Sequence, residues 1–187
     1  MNLAVIGSGG REHAICYKLN QSSKIKKIIC IPGNAGTKKI AKNVDTDISN
    51  FDSIYEVIKS NSIDLVVIGP EQPLVNGLVD YLDGKKIKVF GPDKFASQLE
   101  GSKGFMKNLC RKYKIPTANY GIFENFEDAE TFIKNSQLPI VIKADGLASG
   151  KGVVICNSFN EAFKSAKEII SGKFKSSNKL VIEEFLE

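Results

Sequence analysis

Short apolar runs alternate with stretches of helical spacing from the first residues of the chain. The apolar runs predict buried strands at Leu3–Ile6, Ile28–Ile31, Leu65–Ile68 and Val89–Phe90. Helical spacing occurs between them, at Arg11–Asn20, Asp52–Ser60 and Leu74–Leu82. Because helices separate consecutive strands, this half of the chain is expected to form a Rossmann-like open parallel sheet with right-handed crossovers, an α/β fold.

The pattern changes near Gly91-Pro92, and we expect a boundary near residue 100 between two domains, 1–100 and 101–187. Residues 102–115 are predicted as a linker helix that stops at Ile115-Pro116. Beyond it the pattern predicts strands at Tyr120–Phe123, Ile140–Lys143, Val153–Cys156 and Leu180–Glu183, and helices at Ala129–Ser136 and Phe159–Ile170. A glycine-rich loop at 145–152 joins one strand directly to the next.

Composition excludes several classes of protein. The 187 residues are 42% hydrophobic and 25% charged, as in globular proteins, and no apolar run approaches the roughly 18 residues of a membrane span. The net charge of +5 is spread evenly, with 13 basic and 11 acidic side chains in residues 1–100 and 13 and 10 in residues 101–187. This argues against a nucleic-acid-binding face, and the lysine clusters at 24–27 and 85–88 are interpreted as solvated strand entrances.

Cysteine and histidine usage predicts neither a disulfide framework nor a zinc site. The four cysteines are widely spaced without a C-x-x-C pair, and the single histidine is His13, so buried, reduced thiols are expected at Cys16, Cys30, Cys110 and Cys156. The N-terminus runs from a strand into a glycine loop without a basic leader or a cleavage site. A cytoplasmic protein without membrane partners is therefore expected.

The first glycine loop, Gly7–His13, directly follows the first strand. Its glycines allow backbone N–H groups to approach an anion at the start of the next helix, where the helix dipole favours negative charge. The fingerprint G-x-G-x-x-G is only half met, because Glu12 stands at the third glycine position and no acidic residue ends the second strand, so NAD is disfavoured. Two interpretations stay open: a phosphate or phosphosugar site with Arg11 as a clamp, or a tight turn without a ligand.

Two further loops follow strand ends at the same predicted edge of the sheet, where open α/β sheets bind their ligands. They are Pro32–Thr37, with the sequence PGNAGT, and Gly69–Pro73, with the sequence GPEQP. Three such loops at one edge favour a binding site over three empty turns. Glu71 is a candidate acceptor of hydrogen bonds from ribose hydroxyls or from an amine.

The second glycine loop, Lys143–Gly152, resembles the P-loop pattern G-x-x-x-x-G-K-[ST] but does not satisfy it. Its first spacing is one residue short, Gly152 replaces the magnesium-binding hydroxyl, and a β-branched run replaces the required helix. Two interpretations remain. The loop is either a flexible flap whose N–H groups cover a polyphosphate, assisted by Lys103 and Lys143, or a glycine-rich hairpin.

Together these motifs resemble the N-terminal part of the glycinamide ribonucleotide synthetases, a family of ATP-grasp ligases of purine biosynthesis. The resemblance is carried, in order, by residues 5–14 (VIGSGGREHA), 32–37 (PGNAGT), 69–75 (GPEQPLV), 90–92 (FGP), 99–103 (LEGSK), 142–153 (IKADGLASGKGV) and 182–186 (IEEFL). Their combined order and spacing are specific and cover essentially the whole chain.

The resemblance implies ATP-dependent joining of glycine to 5-phosphoribosylamine through a glycyl phosphate, with release of ADP and phosphate. It implies a pre-ATP-grasp substrate domain followed by the first part of an ATP-grasp domain, whose glycine-rich lid subdomain spans about residues 120–187. Nucleotide contacts are implied at Lys103, Lys143, Gly146, Ser149, Gly150, Lys151, Gly152, Glu183, Glu184, Phe185 and Leu186. Phosphoribosylamine contacts are implied at Gly9, Gly10, Arg11, Glu12, Asn34, Ala35, Gly36, Gly69, Pro70 and Glu71.

Within these sets, the resemblance makes residues 183–186 an adenine hinge, in which the Glu183 carbonyl and the Leu186 N–H meet the adenine edge. The family continues past the position of Glu187 into strands with the magnesium or manganese ligands and the glycine site, for which this sequence has no match. We therefore expect a monomer with small-molecule partners that binds ATP or phosphoribosylamine weakly and does not complete the ligation. The alternatives are another ATP-grasp carboxylate–amine ligase and a non-catalytic nucleotide-binding module. For His13 two interpretations stay open: a first-turn residue packed on the sheet, which is favoured, or a catalytic residue.

Overall fold

The computed structural model describes residues 1–148, 150–174 and 178–186, and it divides into two compact units, Met1–Ser97 and Gln98–Glu187. Each unit has its own sheet, its own helices and its own hydrophobic core. The α/β fold class that the alternating pattern predicts is confirmed.

The first unit is built on the strands β1 (Asn2–Gly7), β2 (Lys27–Pro32), β3 (Lys42–Asn43), β4 (Leu65–Ile68) and β5 (Val89–Phe90). Its helices are α1 (Gly10–Asn20), α2 (Phe51–Ser60), α3 (Glu71–Asn76) and α4 (Leu78–Gly84), with a 3-10 turn at Thr37–Lys39. All strand pairs are parallel, in the order β3-β2-β1-β4-β5. The chain therefore reverses direction across the sheet between β1 and β4, which is the switch point where Rossmann-like folds bind ligands.

The central strand β1 shows why this sheet forms. Helices cover both faces of a parallel sheet, so its middle strand is apolar at successive positions, and residues 3–6 are all buried. Ile6 packs with Ile54 and Ile58 of α2 on one face, while Val5 packs with Cys16 of α1 on the other. The four cysteines are free and buried, as predicted.

Three features of the first unit differ from the sequence-based expectation. The run Val89–Phe90 was predicted as a buried strand, but it forms the edge strand β5, in which Phe90 is 71% exposed. The predicted helix at Leu74–Leu82 is two helices, because Gly77 adopts a left-handed backbone conformation with φ of +94° and ends α3. The 3-10 turn and β3 were not predicted, since elements of two or three residues are too short to show a hydrophobic period.

The second unit begins with the helices α5 (Gln98–Gly101) and α6 (Lys103–Lys112). It continues with β6 (Tyr120–Phe123), α7 (Phe126–Lys134), β7 (Ile140–Ala144), β8 (Val153–Cys156), α8 (Phe159–Ile170) and β9 (Leu180–Glu184). The four strands pair antiparallel in the order β6-β9-β7-β8, so the predicted strands are confirmed. Helix α7 begins three residues before its predicted start, because the Asn125 side chain accepts the Asp128 N–H at 2.9 Å and caps it.

Candidate functional site

The glycine loop after β1 is folded around the side chain of Glu12. Gly7 has φ of +125°, and a Cβ there would lie 2.6 Å from Glu12 Cγ. The Glu12 carboxylate is 2% exposed, and its Oε2 accepts the Gly9 N–H at 2.7 Å. A Cβ at Gly69, in the loop after β4, would also overlap this carboxylate. The residue that breaks the dinucleotide fingerprint thus fills the space between two of the predicted loops.

Arg11 links the same two loops across the switch point of the sheet. Its Nε lies 2.9 Å from Glu12 Oε1, and one terminal nitrogen lies 2.9 Å from Glu71 Oε1. The hydrogen bond from Arg11 lowers the pKa of Glu71. One guanidinium therefore serves two carboxylates, so an incoming phosphate must compete with both of them for Arg11. The predicted phosphate clamp stays a prediction.

Asn34 ties the loop after β2 to the first glycine loop. Its Oδ1 accepts the N–H groups of Gly36 at 2.8 Å and of Thr37 at 2.9 Å, and its Nδ2 donates to the carbonyls of Ser8 at 2.8 Å and Gly9 at 3.2 Å. These bonds fix the backbone on both sides of the edge. The structure thus gives Asn34 a bracing role that is separate from the predicted substrate contact.

The remaining predicted positions of this edge differ in how open they are. A Cβ at Gly36 would lie 2.6 Å from His13 Cε1, so the half-buried His13 packs over this loop. A Cβ at Gly10 would meet no atom within 4 Å, and Ala35 is exposed. Pro70 precedes α3, which begins at Glu71. Open space for a ligand is thus found at Gly10, at the N-terminus of α1.

Two residues of this edge were missed by the sequence reasoning. The Thr37 hydroxyl is buried and accepts the Asn34 N–H at 2.7 Å, and Asn43 Nδ2 donates to the Asn34 carbonyl at 2.7 Å. Thr37 follows Asn34 by three residues, which is the spacing of a local side-chain-to-backbone turn and was available as a signal. Asn43 lies on the unpredicted strand β3, so no sequence pattern pointed to it.

In the second unit, the start of α6 is bound to the end of β7. The Ser102 hydroxyl caps α6 by accepting the Phe105 N–H at 3.1 Å, and it donates to Asp145 Oδ2 at 3.0 Å. Asp145 is buried and also accepts the Gly104 N–H at 3.2 Å. Lys103 Nζ donates to the Gly146 carbonyl at 2.9 Å. The predicted residues Lys103 and Gly146 are thus brought together, with the unpredicted Asp145 as their support.

Lys143 belongs to a buried cluster of alternating charge. Its Nζ lies 2.9 Å from Glu183 Oε1, and Lys107 Nζ lies 2.9 Å from Glu183 Oε2. The side chains of Glu183 and Lys107 are 6% and 3% exposed, whereas that of Lys143 is 26% exposed. The Lys143 contact is an ion pair outside hydrogen-bond angles, since Oε1 accepts no hydrogen bond from any described residue. We call Lys107, Glu183 and Lys143 the lysine–glutamate triad, and its net charge is +1.

Lys107 is held in place by several further partners. Its Nζ donates to the Thr117 hydroxyl at 2.7 Å and to the Ala118 carbonyl at 3.4 Å, and it lies 5.6 Å from the centre of the Tyr120 ring. Its place four residues after Lys103 puts both lysines on one side of α6. That spacing was a usable signal that the sequence reasoning did not exploit.

An apolar surface lies beside Lys143 on the same face of the second sheet. The register pairs Lys143 with Val153 and Val141 with Ile155, and directly paired residues share a face. Val153 is 47% exposed and Ile155 is 52% exposed. The opposite face packs against α7 and α8. The surface can therefore accept a flat apolar group next to an ammonium.

The predicted lid and hinge positions have distinct environments. Gly146 and Gly150 have φ of +85° and +76°, and a Cβ at Gly152 would lie 2.6 Å from Ala148 Cβ, so these positions suit glycine. Lys151 is exposed, and the predicted Ser149 lies outside the described residues.

At the hinge, the Glu184 carboxylate accepts the backbone N–H of Asn119 at 2.8 Å and its side-chain amide at 2.9 Å. These bonds lower the pKa of Glu184. Phe185 and Leu186 are exposed.

Metal clusters and membrane spans are both missing from the described part of the chain. Across residues 1–148, 150–174 and 178–186, no group of three His, Cys, Asp or Glu side chains is arranged to hold a metal ion. Within those ranges no helix has the length and hydropathy to cross a bilayer.

A parallel sheet with loops at its switch point, followed by an antiparallel sheet with a glycine hairpin and paired lysines, defines an α/β protein of the ATP-grasp class. Family models agree with this class in both halves. The phosphoribosylglycinamide synthetase N domain matches residues 1–100, and the ATP-grasp (A) domain of the same synthetase matches residues 101–187. The chain belongs to the phosphoribosylglycinamide synthetase family.

Individual relatives show how far this similarity extends. Phosphoribosylamine–glycine ligase of Clostridium acetobutylicum is 47% identical over 189 residues, covering 100% of this chain and 45% of the relative. The solved structure of phosphoribosylamine–glycine ligase from Thermotoga maritima is 34% identical with a TM-score of 0.82, covering 100% of this chain and 44% of that one. The biotin carboxylase domain of Hydrogenobacter thermophilus 2-oxoglutarate carboxylase shares the fold, at 19% identity and a TM-score of 0.81. The chain thus spans less than half the length of the curated relatives it matches.

Proposed function

We propose that this chain provides the phosphoribosylamine and nucleotide sites of a ligase that joins glycine to 5-phosphoribosylamine with ATP. The observation that carries the proposal is the 47% identity with such a ligase along the complete chain, through both units. The fold-level neighbours at about one-fifth identity support only the wider ATP-grasp class.

The chemistry of the proposed reaction explains the kinds of groups found. A glycine carboxylate oxygen attacks the γ-phosphorus of ATP and ADP leaves; the amine of phosphoribosylamine then attacks the acyl carbon, phosphate leaves and one proton is released. A carboxylate is a poor electrophile until it is phosphorylated. The site must therefore offset phosphate charge with cations and N–H groups, and it must exclude water.

The lysine–glutamate triad supports the nucleotide part of this proposal. Its net charge of +1 favours a polyphosphate, and only Lys143 among its three members has substantial exposure. Val153 and Ile155 offer an apolar surface for the adenine ring beside it. In the proposal, Lys103 and Lys143 contact phosphates, the 146–152 loop is the lid, and backbone groups of residues 183–186 bind the adenine edge.

In the first unit, the proposal puts phosphoribosylamine at the edge formed by the three loops. The open space at Gly10 suits a phosphate at the N-terminus of the 11-residue helix α1. Glu71 is 43% exposed and is the carboxylate of this edge best able to reach an amine or ribose hydroxyls. Glu12, Asn34 and Gly69 would act by holding the loops, since their groups are engaged within the protein.

A magnesium or manganese ion is implied only by the family resemblance. The structurally similar biotin carboxylase domain of Hydrogenobacter thermophilus was solved in complex with MgADP, and this metal is an observation on that domain alone. The described residues do not fit a metal held by a cluster of protein side chains. No step of the proposal is routed through a metal, and its tests measure binding.

Calorimetric titration of the chain with ATP tests the nucleotide site. We expect Lys143→Met to weaken ATP binding about tenfold, because one charge contact with phosphate is lost. Lys164→Met, at an exposed position of α8, is the matched control and should leave the affinity unchanged. Equal ATP affinity in the parent chain and in Lys143→Met would contradict the proposed contact between Lys143 and the ATP phosphates.

Ribose 5-phosphate tests the first unit separately. Because Glu71 is proposed to accept hydrogen bonds from ribose hydroxyls but also competes with phosphate for Arg11, we expect Glu71→Gln to lower the affinity for ribose 5-phosphate relative to that for inorganic phosphate. Glu56→Gln, at an exposed position of α2, is the control and should leave that ratio unchanged. Binding of neither ligand by a folded sample would overturn both site proposals.

We further propose a monomeric protein that works in the cytoplasm with small-molecule partners. The four free, buried thiols fit a reducing compartment. Sedimentation velocity of the chain with saturating ATP would test the monomer, and a dimer that persists with nucleotide bound would contradict it.

A further inference from the structure

One segment of the first unit contains lysines without any acidic partner in sequence. Residues 13–44 hold seven lysines and no Asp or Glu, at Lys18, Lys24, Lys26, Lys27, Lys38, Lys39 and Lys42. The rest of residues 1–100 holds six basic and eleven acidic side chains. The even charge of the whole chain therefore conceals a strongly basic segment.

The fold gathers five of these lysines around one cleft of about 450 Å³, which we call the lysine cleft. Its lysines are Lys26, Lys27, Lys38, Lys39 and Lys42. It lies where β2 begins and β3 starts to pair with it, as the register of Lys42 with Ile29 shows. The predicted substrate loop Pro32–Thr37 follows the other end of β2, a strand about 16 Å long at roughly 3.3 Å per residue. The cleft shares no lining residue with this loop, and the two adjoin at Lys38 and Lys39, whose N–H groups donate to the carbonyls of Asn34 and Gly36.

Most of the charge in the lysine cleft is uncompensated within the first unit. Lys27 Nζ donates to Asn61 Oδ1 at 2.8 Å. Among the described residues, Lys26, Lys38, Lys39 and Lys42 make no ion pair. Like charges held around one concave surface repel one another, and that surface raises the local concentration of anions.

The cleft also has an apolar part, formed by Ile25, Ile28, Ile40 and Ala41. Ile28 is buried, and Ile25 and Ile40 are half-buried. The volume of the cleft lies in the range of about 300–1,000 Å³ that is typical of small-ligand sites, but its lining is mainly polar, with the apolar residues as a smaller part. Several ammonium groups beside an apolar floor fit a ligand that joins two or more phosphates to a ring.

We propose that the lysine cleft binds an organic polyphosphate of the nucleoside diphosphate class. Its phosphates contact Lys38, Lys39 and Lys42, and its ring lies on Ile25 and Ile40. This site does not depend on the ligase proposal, because it uses no residue of the loop edge or of the second unit. The cleft replaces the interpretation of Lys26 and Lys27 as part of a solvated strand entrance.

The probe is GDP at low salt, followed by backbone amide shifts in ¹⁵N NMR spectra of the full chain. GDP lacks the adenine amino edge that the proposed hinge would read, so it separates the two sites. We expect shift changes at residues 25–28 and 38–42. Changes confined to residues 103–104, 143–148 and 183–186 would overturn the lysine cleft and leave the nucleotide proposal standing.

Two variants with equal charge change locate the effect. K39Q/K42Q should weaken GDP binding about tenfold, as expected for two lost phosphate contacts, while K86Q/K88Q removes two exposed lysines elsewhere and should change it less than twofold. If both variants weaken GDP binding equally, the binding depends on the net charge of the chain and not on the lysine cleft, and the proposal is overturned. Amide spectra of both variants establish that they are folded.

Inorganic pyrophosphate distinguishes the organic ligand from bare phosphate. The apolar floor predicts that GDP binds several-fold more tightly than pyrophosphate, and that Ile40→Ser removes this difference. Equal affinity for the two would overturn the organic part of the proposal. A single-stranded RNA that binds far more tightly than GDP and displaces it would overturn the small-molecule class.

Discussion

Each of the two units holds a three-residue charge cluster, and the two clusters have opposite composition. In the first unit, Arg11 lies between the carboxylates of Glu12 and Glu71, so the net charge is −1. In the second unit, Glu183 lies between Lys107 and Lys143, so the net charge is +1. Arg11 and Glu71 of the first cluster are exposed and Glu12 is buried, whereas in the second cluster Lys143 is half-buried and the other two members are buried.

The opposite net charges of the two clusters indicate which ligand groups each unit can bind. A positive cluster beside an apolar surface suits a polyphosphate with a ring, as proposed for the second unit. A negative cluster suits hydroxyls and an amine, and leaves phosphate to backbone N–H groups at the N-terminus of α1. The clusters also differ in burial, so the same kind of substitution should have unequal effects on them.

The largest effect is expected for Lys107→Met in the second unit. This substitution leaves the buried Glu183 with only the more exposed Lys143 as an ion-pair partner, and breaking a buried ion pair costs up to about 3–5 kcal/mol of the free energy of unfolding. Lys143→Met leaves the buried Lys107–Glu183 pair intact and should cost much less. Urea unfolding followed by amide signals of the second unit measures both, and equal losses would contradict the central role of Lys107.

Next in size is Glu12→Gln in the first unit. The change weakens the bonds from the Gly9 N–H and from Arg11, and hydrogen bonds to a charged group are worth about 1.5–3 kcal/mol. Glu71→Gln removes an exposed ion pair and should cost less than about 1 kcal/mol. Reversal of that order in urea unfolding of the first unit would refute the bracing role of Glu12.

A similar or smaller effect is expected for Gly69→Ala. The added Cβ would overlap the buried Glu12 carboxylate, and such overpacking costs about 1–3 kcal/mol. Gly10→Ala is the control, because a Cβ there meets nothing and lies in a helix, where alanine is favoured over glycine. Thermal unfolding should show a lower midpoint for Gly69→Ala only.

The smallest expected effect is on pH dependence at Glu71. Arg11 lowers the folded-state pKa of Glu71 below its ordinary value of 4.5, so the pair stabilises the folded unit above that pH. The contribution is lost as pH falls through the folded-state pKa, and exposure keeps it below about 1 kcal/mol. Carbon-detected NMR titration should show the Glu71 midpoint rising in Arg11→Gln. An unchanged midpoint would mean that Arg11 does not hold the carboxylate.

Much of the fold could be predicted from sequence because several strands are continuous apolar runs and several helices begin or end at recognisable residues. The runs at Leu3–Ile6 and Leu65–Ile68 lie in the two central strands, where neighbours on each side demand apolar residues. The split at Gly77 was readable from the glycine, and the start of α7 from Asn125 and Asp128 three residues apart.

The candidate sites were only partly predictable, for reasons of tertiary placement. Val153 and Ile155 look like core residues in sequence, because a β-branched run does not reveal that one face of its sheet is open. The partners of Glu183 come from α6 and β7, so no local pattern could have identified the lysine–glutamate triad. The lysine cleft depends on β3, and a strand of only two residues has no hydrophobic period that a sequence pattern could reveal.

Strand β8 also has a consequence for handling the protein. It lies at the edge of its sheet, and residues 153–155 are apolar and exposed. An exposed apolar edge strand is a template for pairing with another copy, and so promotes aggregation. A nucleotide that covers Val153 and Ile155 should therefore raise the concentration at which samples remain monodisperse. The surface proposed to bind ATP is also the one that makes the ligand-free chain prone to self-association.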